Sequence, residues 1–385
     1  MGTVLPLVLL AGAATLLGQT GVALPPWTPG TLDIHHISTG RGNATLFVLP
    51  DGTSLLVDAG AAGDGIPETD PHPNASRTPG VWIGRYLARH GVTALDYALI
   101  THFHGDHMSG IADVAVAVPI RTLIDRGWPD YSYPAPLTDA AMAAYRKFIE
   151  SRRGEMTVER FRPGAAAQIV LRRDAGAYPG FEIRNIVGNG EIWTGEGEGT
   201  RPLFPPLEGL PAADRPNENM CSLGFRLRYG RFRYFTGGDL PGTADPGFPA
   251  WHAVEAAIAQ VIGPVEVHVV NQHGSMGEES EPFLRELRSR VLIVPSWAPS
   301  HPAPDVLKRI INSRLAPSPR FVFATDMREA ARIVIGQRAT QLAAPTGHVV
   351  VRVEPGGARY RVYVLDNRGE DDRVVAEKGP FTPLS

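Results

Sequence analysis

Three imidazoles and one carboxylate stand within six positions in the run Thr101-His102-Phe103-His104-Gly105-Asp106-His107. These are donors that Zn²⁺, Mn²⁺ or iron accept, and a cluster this dense directly behind an apolar run is not the composition of an ordinary solvated loop. His102 and His104, two positions apart, can face one ion, whereas Asp106 and His107 do not easily reach that same ion with them. The spacing predicts two adjacent ions. Further donors follow other apolar runs: Asp239 behind Tyr234-Phe235-Thr236-Gly237-Gly238, and His273 behind residues 265–270. Glycines in such turns let backbone approach closely. Taken singly, Asp239 would pass for turn chemistry and His273 for a satisfied surface or core residue; beside the cluster both are candidate ligands. Two ions a few ångströms apart ionise a water held between them and polarise a scissile group. The chemistry predicted is hydrolysis by a bridging hydroxide, with no Ser or Cys nucleophile; Thr101, Ser109 and Ser222 read as turn and cap residues.

The elements that must position these groups alternate along the chain. Strand patterns cover residues 32–37, 43–49 and 54–57, with Asp51-Gly52 as a hairpin turn. Apolar residues at helical spacing cover 81–90, where Gly91 ends the helix, and a buried strand over 94–100 runs into the histidine cluster, which reads as loop. A helix over 139–153 is capped by Thr138 and ended by Gly154. Strand-like pieces follow at 158–161, 168–172 and 181–187, then a Gly-, Pro- and Glu-rich loop over 189–215. A hairpin over 222–235 turns at Tyr229-Gly230. Helices are expected over 251–262, 281–290 and 305–313, and buried strands over 265–270, 291–295 and 321–324. A last hairpin, 348–353 and 359–365, closes a domain spanning 31–365, and 366–385 reads as a loose charged tail. Strands first and helices later, in two blocks, predict a layered α/β sandwich.

Composition narrows the function. The chain has 385 residues, 43% of them hydrophobic, and a net charge of -3. That is an ordinary globular balance without the basic excess of duplex binders. Cys221 is the only cysteine, which excludes intrachain disulfides and Cys-based zinc sites. The apolar run at 5–18 has the length of a secretory h-region and is short for a membrane span. A signal peptide over 1–23 and export to the periplasm or medium are expected, with an uncleaved membrane anchor as the alternative. No run is long enough to form a transmembrane channel.

The ordered motifs resemble the metallo-β-lactamase superfamily, and within it the hydrolase domain of ComEC-type DNA-uptake competence proteins. They are Ile37-Ser38-Thr39-Gly40-Arg41-Gly42-Asn43-Ala44-Thr45, Leu55-Leu56-Val57-Asp58-Ala59-Gly60, His102-x-His104-x-Asp106-His107, Asn217-Glu218-Asn219-Met220-Cys221-Ser222-Leu223, Thr236-Gly237-Gly238-Asp239, Gln272-His273-Gly274-Ser275 and Ser300-His301-Pro302. The resemblance implies an αββα four-layer sandwich with the metals at one edge. His102 and His104 would hold the first ion, Asp106, His107 and His273 the second, and Asp239 would bridge. Asp58 would order the ligand loop from behind. Where β-lactamase and glyoxalase relatives place a further strand histidine, this sequence has Asn219, a weak neutral donor, so the first ion is expected to bind less tightly. Asp106, Asn219 and His301 are the candidate catalytic groups, Asp106 accepting or orienting the water proton and His301 donating to a leaving group or phosphate.

The resemblance also implies two divalent ions, zinc ahead of manganese, and a phosphodiester substrate, small or nucleic-acid. Hydrolysis of a lactone, lactam or thioester is the alternative chemistry, and a catalytically degenerate binding module the alternative class. No obligatory protein partner is evident. The remaining histidines, His35, His36, His72, His90, His252, His268 and His348, read as structural or surface residues, with His36, near the first glycine turn, the first exception to consider.

Overall fold

Period-two alternation builds the strands. In β1 (Leu32–His36), Leu32 and Ile34 enter a core between two sheets, while His35 meets Tyr86 of a helix outside. The computed structural model describes residues 20–61, 69–312, 314–315 and 319–384. After β1 come β2 (Thr45–Val48), β3 (Ser54–Val57), helix α1 (Pro79–Arg89), β4 (Leu95–Leu99), short helices α2 (Gly105–Met108) and α3 (Ile111–Ala117), β5 (Ile120–Asp125), α4 (Ala140–Ser151) and β6 (Thr157–Arg160). The second block runs β7 (Phe181–Gly188), β8 (Glu191–Trp193), β9 (Thr200–Pro202), β10 (Gly224–Tyr229), β11 (Phe232–Thr236), α5 (Val254–Ile262), β12 (Val267–Val269), α6 (Glu281–Leu287), β13 (Val291–Val294), α7 (Pro304–Ile310), β14 (Phe321–Ala324) and α8 (Glu329–Ile335). The strands β15 (His348–Val353), β16 (Tyr360–Leu365) and β17 (Val374–Phe381) return to the first sheet.

That sheet has nine strands in the order β17-β16-β15-β1-β2-β3-β4-β5-β6, and the second has eight, β14-β13-β12-β11-β10-β7-β8-β9. Residues of both, among them Phe47, Val57, Phe225, Tyr234, Val267 and Val349, form the core between them. α1, α3 and α4 cover the outer face of the first sheet through Ile83, Tyr86, Ile111, Val114 and Tyr145. α5 and α6 cover the second through Ile258, Ile262 and Phe283, and α7 and α8 continue that layer. The architecture is the αββα sandwich of the metallo-β-lactamase type.

Several expectations are corrected. The tail over 366–385 is not loose: β17 pairs with β16 from Tyr360↔Phe381 to Leu365↔Val374, and Phe381 packs its ring on Tyr360 and Phe321. Most of its charges precede β17, where Glu370 and Asp372 pair with Arg85 and Arg89 of α1, and composition alone reads such a run as disorder. At the other end, Gly21 N donates to Val374 O (2.8 Å) and Val374 N to Val22 O (2.9 Å), so residues 21–30 belong to the domain as well. The apolar run at 5–18 lies outside the described residues. The 189–215 stretch contains β8 and β9, residues 168–172 form no strand, and Asp139 caps α4 in place of Thr138. Among the described residues no helix is long and apolar enough to cross a membrane.

Candidate metal centre

Parallel strands carry their C-terminal ends to one edge, and the candidate donors leave the sheets there. β3 runs parallel to β4, and β11, β12 and β13 run parallel to one another. Asp58 follows β3, His102 follows β4, Asp239 follows β11 and His273 follows β12. Asp106 and His107 do not sit on loop, as the sequence suggested. α2 holds them, beginning directly after His104. This turn sets His107 against His102, ring centroids 4.1 Å apart, and carries Asp106 to the side of His273, so His107 stands between two points that a run of six residues serves.

His102, His107 and Asp239 each place a ligand atom within 4.8 Å of the others', and so do Asp106, His107 and His273. His104 joins the first group from the solvent side, its Nδ1 3.0 Å from His102 Nε2. Asp239 stands between the groups: Oδ2 is 3.7 Å from His102 Nε2 and 3.5 Å from His273 Nε2, and Oδ1 is 3.3 Å from His107 Nε2. Asp106 Oδ2 lies 3.0 Å from His273 Nε2 and 3.5 Å from His107 Nε2.

The far nitrogens of these rings are held. His107 Nδ1 donates to Asp58 Oδ2 (2.8 Å), and His273 Nδ1 donates to the carbonyl of Pro295 (2.9 Å). Thr101 Oγ1 donates to Asp58 Oδ2 (2.9 Å) and accepts from His102 Nδ1 (3.1 Å). Each ring therefore turns Nε2 toward the shared point, the arrangement that fixes tautomer and orientation in histidine metal sites. Asp58 is fully buried with φ of 60° and also accepts from Thr101 N (2.8 Å). Left-handed backbone recurs at Gln272 and His273, with φ of 45° and 56°. Such strain of about 1–3 kcal/mol per residue persists where surrounding structure over-determines it.

The electrostatics ask for positive charge at this point. Burial would push the Asp239 and Asp106 carboxyls up, yet His107 and His273 hold both well below the usual range. Burial works against the charged forms of His107 and His273, and the same carboxylates, Asp239 foremost, raise both. His102 is lowered by burial and by His107. Positive charge can be supplied as imidazole protons or as divalent cations; the donor set, all imidazole and carboxylate, suits the latter.

The other sequence candidates fall around this centre. His301 stacks on His273, centroids 4.8 Å apart and 16° from parallel. Its Nδ1 accepts from Ala298 N (3.4 Å) and burial lowers its pKa to about 3, so it is a neutral ring that offers Nε2–H as a donor. Asn219 opens a 3₁₀ turn, and its Oδ1 is buried without a hydrogen-bond partner. With Gln272, Thr243, Asp245, Met276 and Glu278 it lines a cavity of about 90 Å³. Thr101 was undervalued in the sequence, and Pro295 was missed because a backbone carbonyl has no sequence signature.

Residues 37–212 match the family model of the metallo-beta-lactamase superfamily, a match that contains the His102–His107 cluster and ends before Asp239 and His273. Among solved structures, CmlA, a diiron beta-hydroxylase from Streptomyces venezuelae, is 12% identical with a TM-score of 0.40, over 85% of this chain and 55% of that one. The chain thus spans about half the length of CmlA. Igni18, a metallo hydrolase from Ignicoccus hospitalis KIN4/I, is 11% identical with a TM-score of 0.40, over 83% of this chain and 98% of that one. A putative metal-dependent hydrolase from Parabacteroides distasonis ATCC 8503 is 13% identical with a TM-score of 0.36, over 76% and 92% of the two chains. No curated protein matches the chain. Over residues 37–212 the chain is thus similar in sequence to the metallo-beta-lactamase superfamily.

Proposed function

We propose that the protein is a dinuclear metallohydrolase of phosphodiesters. The observation that carries this reading is the pair of three-donor groups that share His107 and meet at Asp239. His102, His104 and Asp239 would hold one ion, and Asp106, His107, His273 and Asp239 the other. When bound, such a pair supplies an ionised water and neutralises charge on both the attacking and leaving oxygens of a displacement at phosphorus. The chain's own residues do the rest. Asp106, on α2 with its side chain 19% exposed, would accept or orient the water proton. Asp58, Thr101 and the Pro295 carbonyl hold the three rings in one tautomer. His301, neutral, donates a hydrogen bond without giving up a proton.

The alternative, a lactone, lactam or thioester substrate, is favoured by one observation: no Lys or Arg is among the residues lining the small cavity at Asn219 and Gln272. A phosphate would gain from a cation there. The test pairs elemental metal analysis with bis-p-nitrophenyl phosphate, single-stranded DNA, nitrocefin and a lactone, each with the wild type and His104→Ala. Turnover of the phosphodiesters, lost in His104→Ala, is expected. Turnover of nitrocefin or lactone alone overturns the substrate, and a protein that holds no metal and turns over nothing is a binding module. ComEC-type kinship and export remain part of this proposal; secretion of the full chain from a bacterial host, with the mature N-terminus sequenced, tests the latter.

A further inference from the structure

Phe103, the residue between the two candidate ligands of the first ion, is gripped from two sides. Its backbone N–H donates to Glu218 Oε1 (2.7 Å), and its ring lies beneath the guanidinium of Arg126, whose Cζ is 4.5 Å from the centroid. Arg126 in turn donates through Nε to the same Glu218 Oε1 (2.7 Å) and through Nη2 to Oε2 (2.5 Å), a two-pronged pair. Its third nitrogen, Nη1, donates to the Tyr133 carbonyl (2.7 Å) and Asn189 Oδ1 (2.9 Å). The side chains of Arg126 and Glu218 are only 1% and 7% exposed, so water does not loosen this arrangement. Arg126 follows β5 directly, and Glu218 directly precedes Asn219.

We infer that the buried Arg126–Glu218 pair is a positioning device for the first metal site, setting the peptide between His102 and His104 and fastening the Asn219 turn to it. The Leu223 N–H, donating to Thr101 O (2.9 Å), secures the same two segments a second time. Two imidazoles on neighbouring peptides converge only if the intervening plane is held, and a charge-assisted bond at Phe103 N holds it. Asp106, His107 and His273 depend instead on α2, Asp58 and Pro295. The device therefore acts on one ion and not on the other. Neither Arg126 nor Glu218 touches the centre, so both are positioning residues.

The inference rests on the dinuclear reading, and one titration separates the two. Full-length protein stripped of metal is titrated with Co²⁺, followed by its visible absorption, and with Zn²⁺ against a chromophoric chelator. The variants are Glu218→Gln, the neutral pair Arg126→Met/Glu218→Gln, and His104→Ala and His273→Ala as references for each site. The neutral pair leaves no buried charge unpaired and so guards against simple unfolding. Wild type is expected to take two ions. Both Glu218 variants should hold the second ion within about threefold of wild type and lose about 10–100-fold on the first. Their one-cobalt spectrum should match that of His104→Ala. Two ions in wild type with equal losses at both sites, or with no loss, overturn the positioning role alone. A neutral pair that does not fold makes the ion pair a folding element and overturns it too. Fewer than two ions in wild type overturns the dinuclear reading and this device with it.

Discussion

At the residue scale the centre is a problem of proton placement. Each of His102, His107 and His273 can bind through Nε2 only while Nδ1 carries its hydrogen, and a buried oxygen takes that hydrogen in every case. Asp58 does this for His107 directly and for His102 through Thr101. In Asp58→Asn an amide of similar volume replaces the carboxylate, a neutral acceptor on one side and a donor on the other. Zn²⁺ affinity is expected to fall about 10–100-fold with the fold retained, measurable by chelator competition alongside circular dichroism. A second residue-scale consequence concerns His36, which is not among the candidate ligands. His36 is buried, its Nε2 has no hydrogen-bond partner, and burial lowers its pKa to about 3. The unfolded chain, with an ordinary histidine pKa of about 6.5, therefore takes up a proton before the folded chain does. His36 contributes its full share of stability above about pH 6.5 and loses it as pH falls toward about 3. Urea unfolding from about pH 6 to 4 should show a slope shallower by about 1.4 kcal/mol per pH unit in His36→Asn than in wild type. Equal slopes would mean that the folded ring is protonated with the unfolded one.

At the scale of elements, turns set the approach of one ligand segment to another. Gly42 has φ of 79°, and a Cβ there would stand 2.2 Å from the carbonyl oxygen of Asp106, to which Asn43 N already donates at 2.9 Å. Gly42→Ala must push α2 outward, so the ion held by Asp106 and His107 should weaken while the His102–His104 side keeps its affinity; the cobalt titration reads both. The C-terminal strand offers a contrasting case, remote from the centre. β17 seals the edge of the nine-stranded sheet, and Phe381 is packed between Tyr360 and Phe321. Removing residues 368–385 deletes that ring and uncovers the β16 edge, at a cost of about 3 kcal/mol or more. Thermal unfolding at an unchanged midpoint would return the segment to the loose tail that its composition suggests.

On the scale of the whole molecule, the donors belong to both sheets. His102, His104, Asp106 and His107 come from the first, and Asp239 and His273 from the second. A cation at their meeting point fastens the two halves of the sandwich together. Binding to the folded state alone stabilises it by about 2.7 kcal/mol at a free concentration one hundredfold above Kd. Chelation should therefore lower the unfolding midpoint by several degrees, and restoring Zn²⁺ should recover it. In His273→Ala, which removes one of the second sheet's donors, the response to Zn²⁺ should shrink markedly. An unfolding midpoint indifferent to chelator in wild type would mean that the sandwich is held by its apolar core alone.

The sequence by itself determined the candidate donors and the layers. His102, His104, Asp106 and His107 announce a metal because their side-chain types and density have few other uses, and period-two and period-3.6 patterns are local properties of the chain. Asp239 and His273 were legible as candidate ligands only beside that cluster, from their place behind apolar strands. What gathers them is the parallel run of β3–β4 and β11–β13, which brings distant strand ends to one edge. Local pattern failed where a pairing partner lies far along the chain: β17 read as tail because the charged run before it hides an edge strand, and β8 and β9 read as loop. The tertiary structure alone decided how the six-residue cluster divides, since the turn of α2 places His107 between His102 on one side and Asp106 with His273 on the other. It alone supplied Pro295 O, Thr101 and the Arg126–Glu218 pair. A backbone carbonyl carries no sequence signal, and a buried ion pair is defined by what surrounds it, which only the packed chain contains.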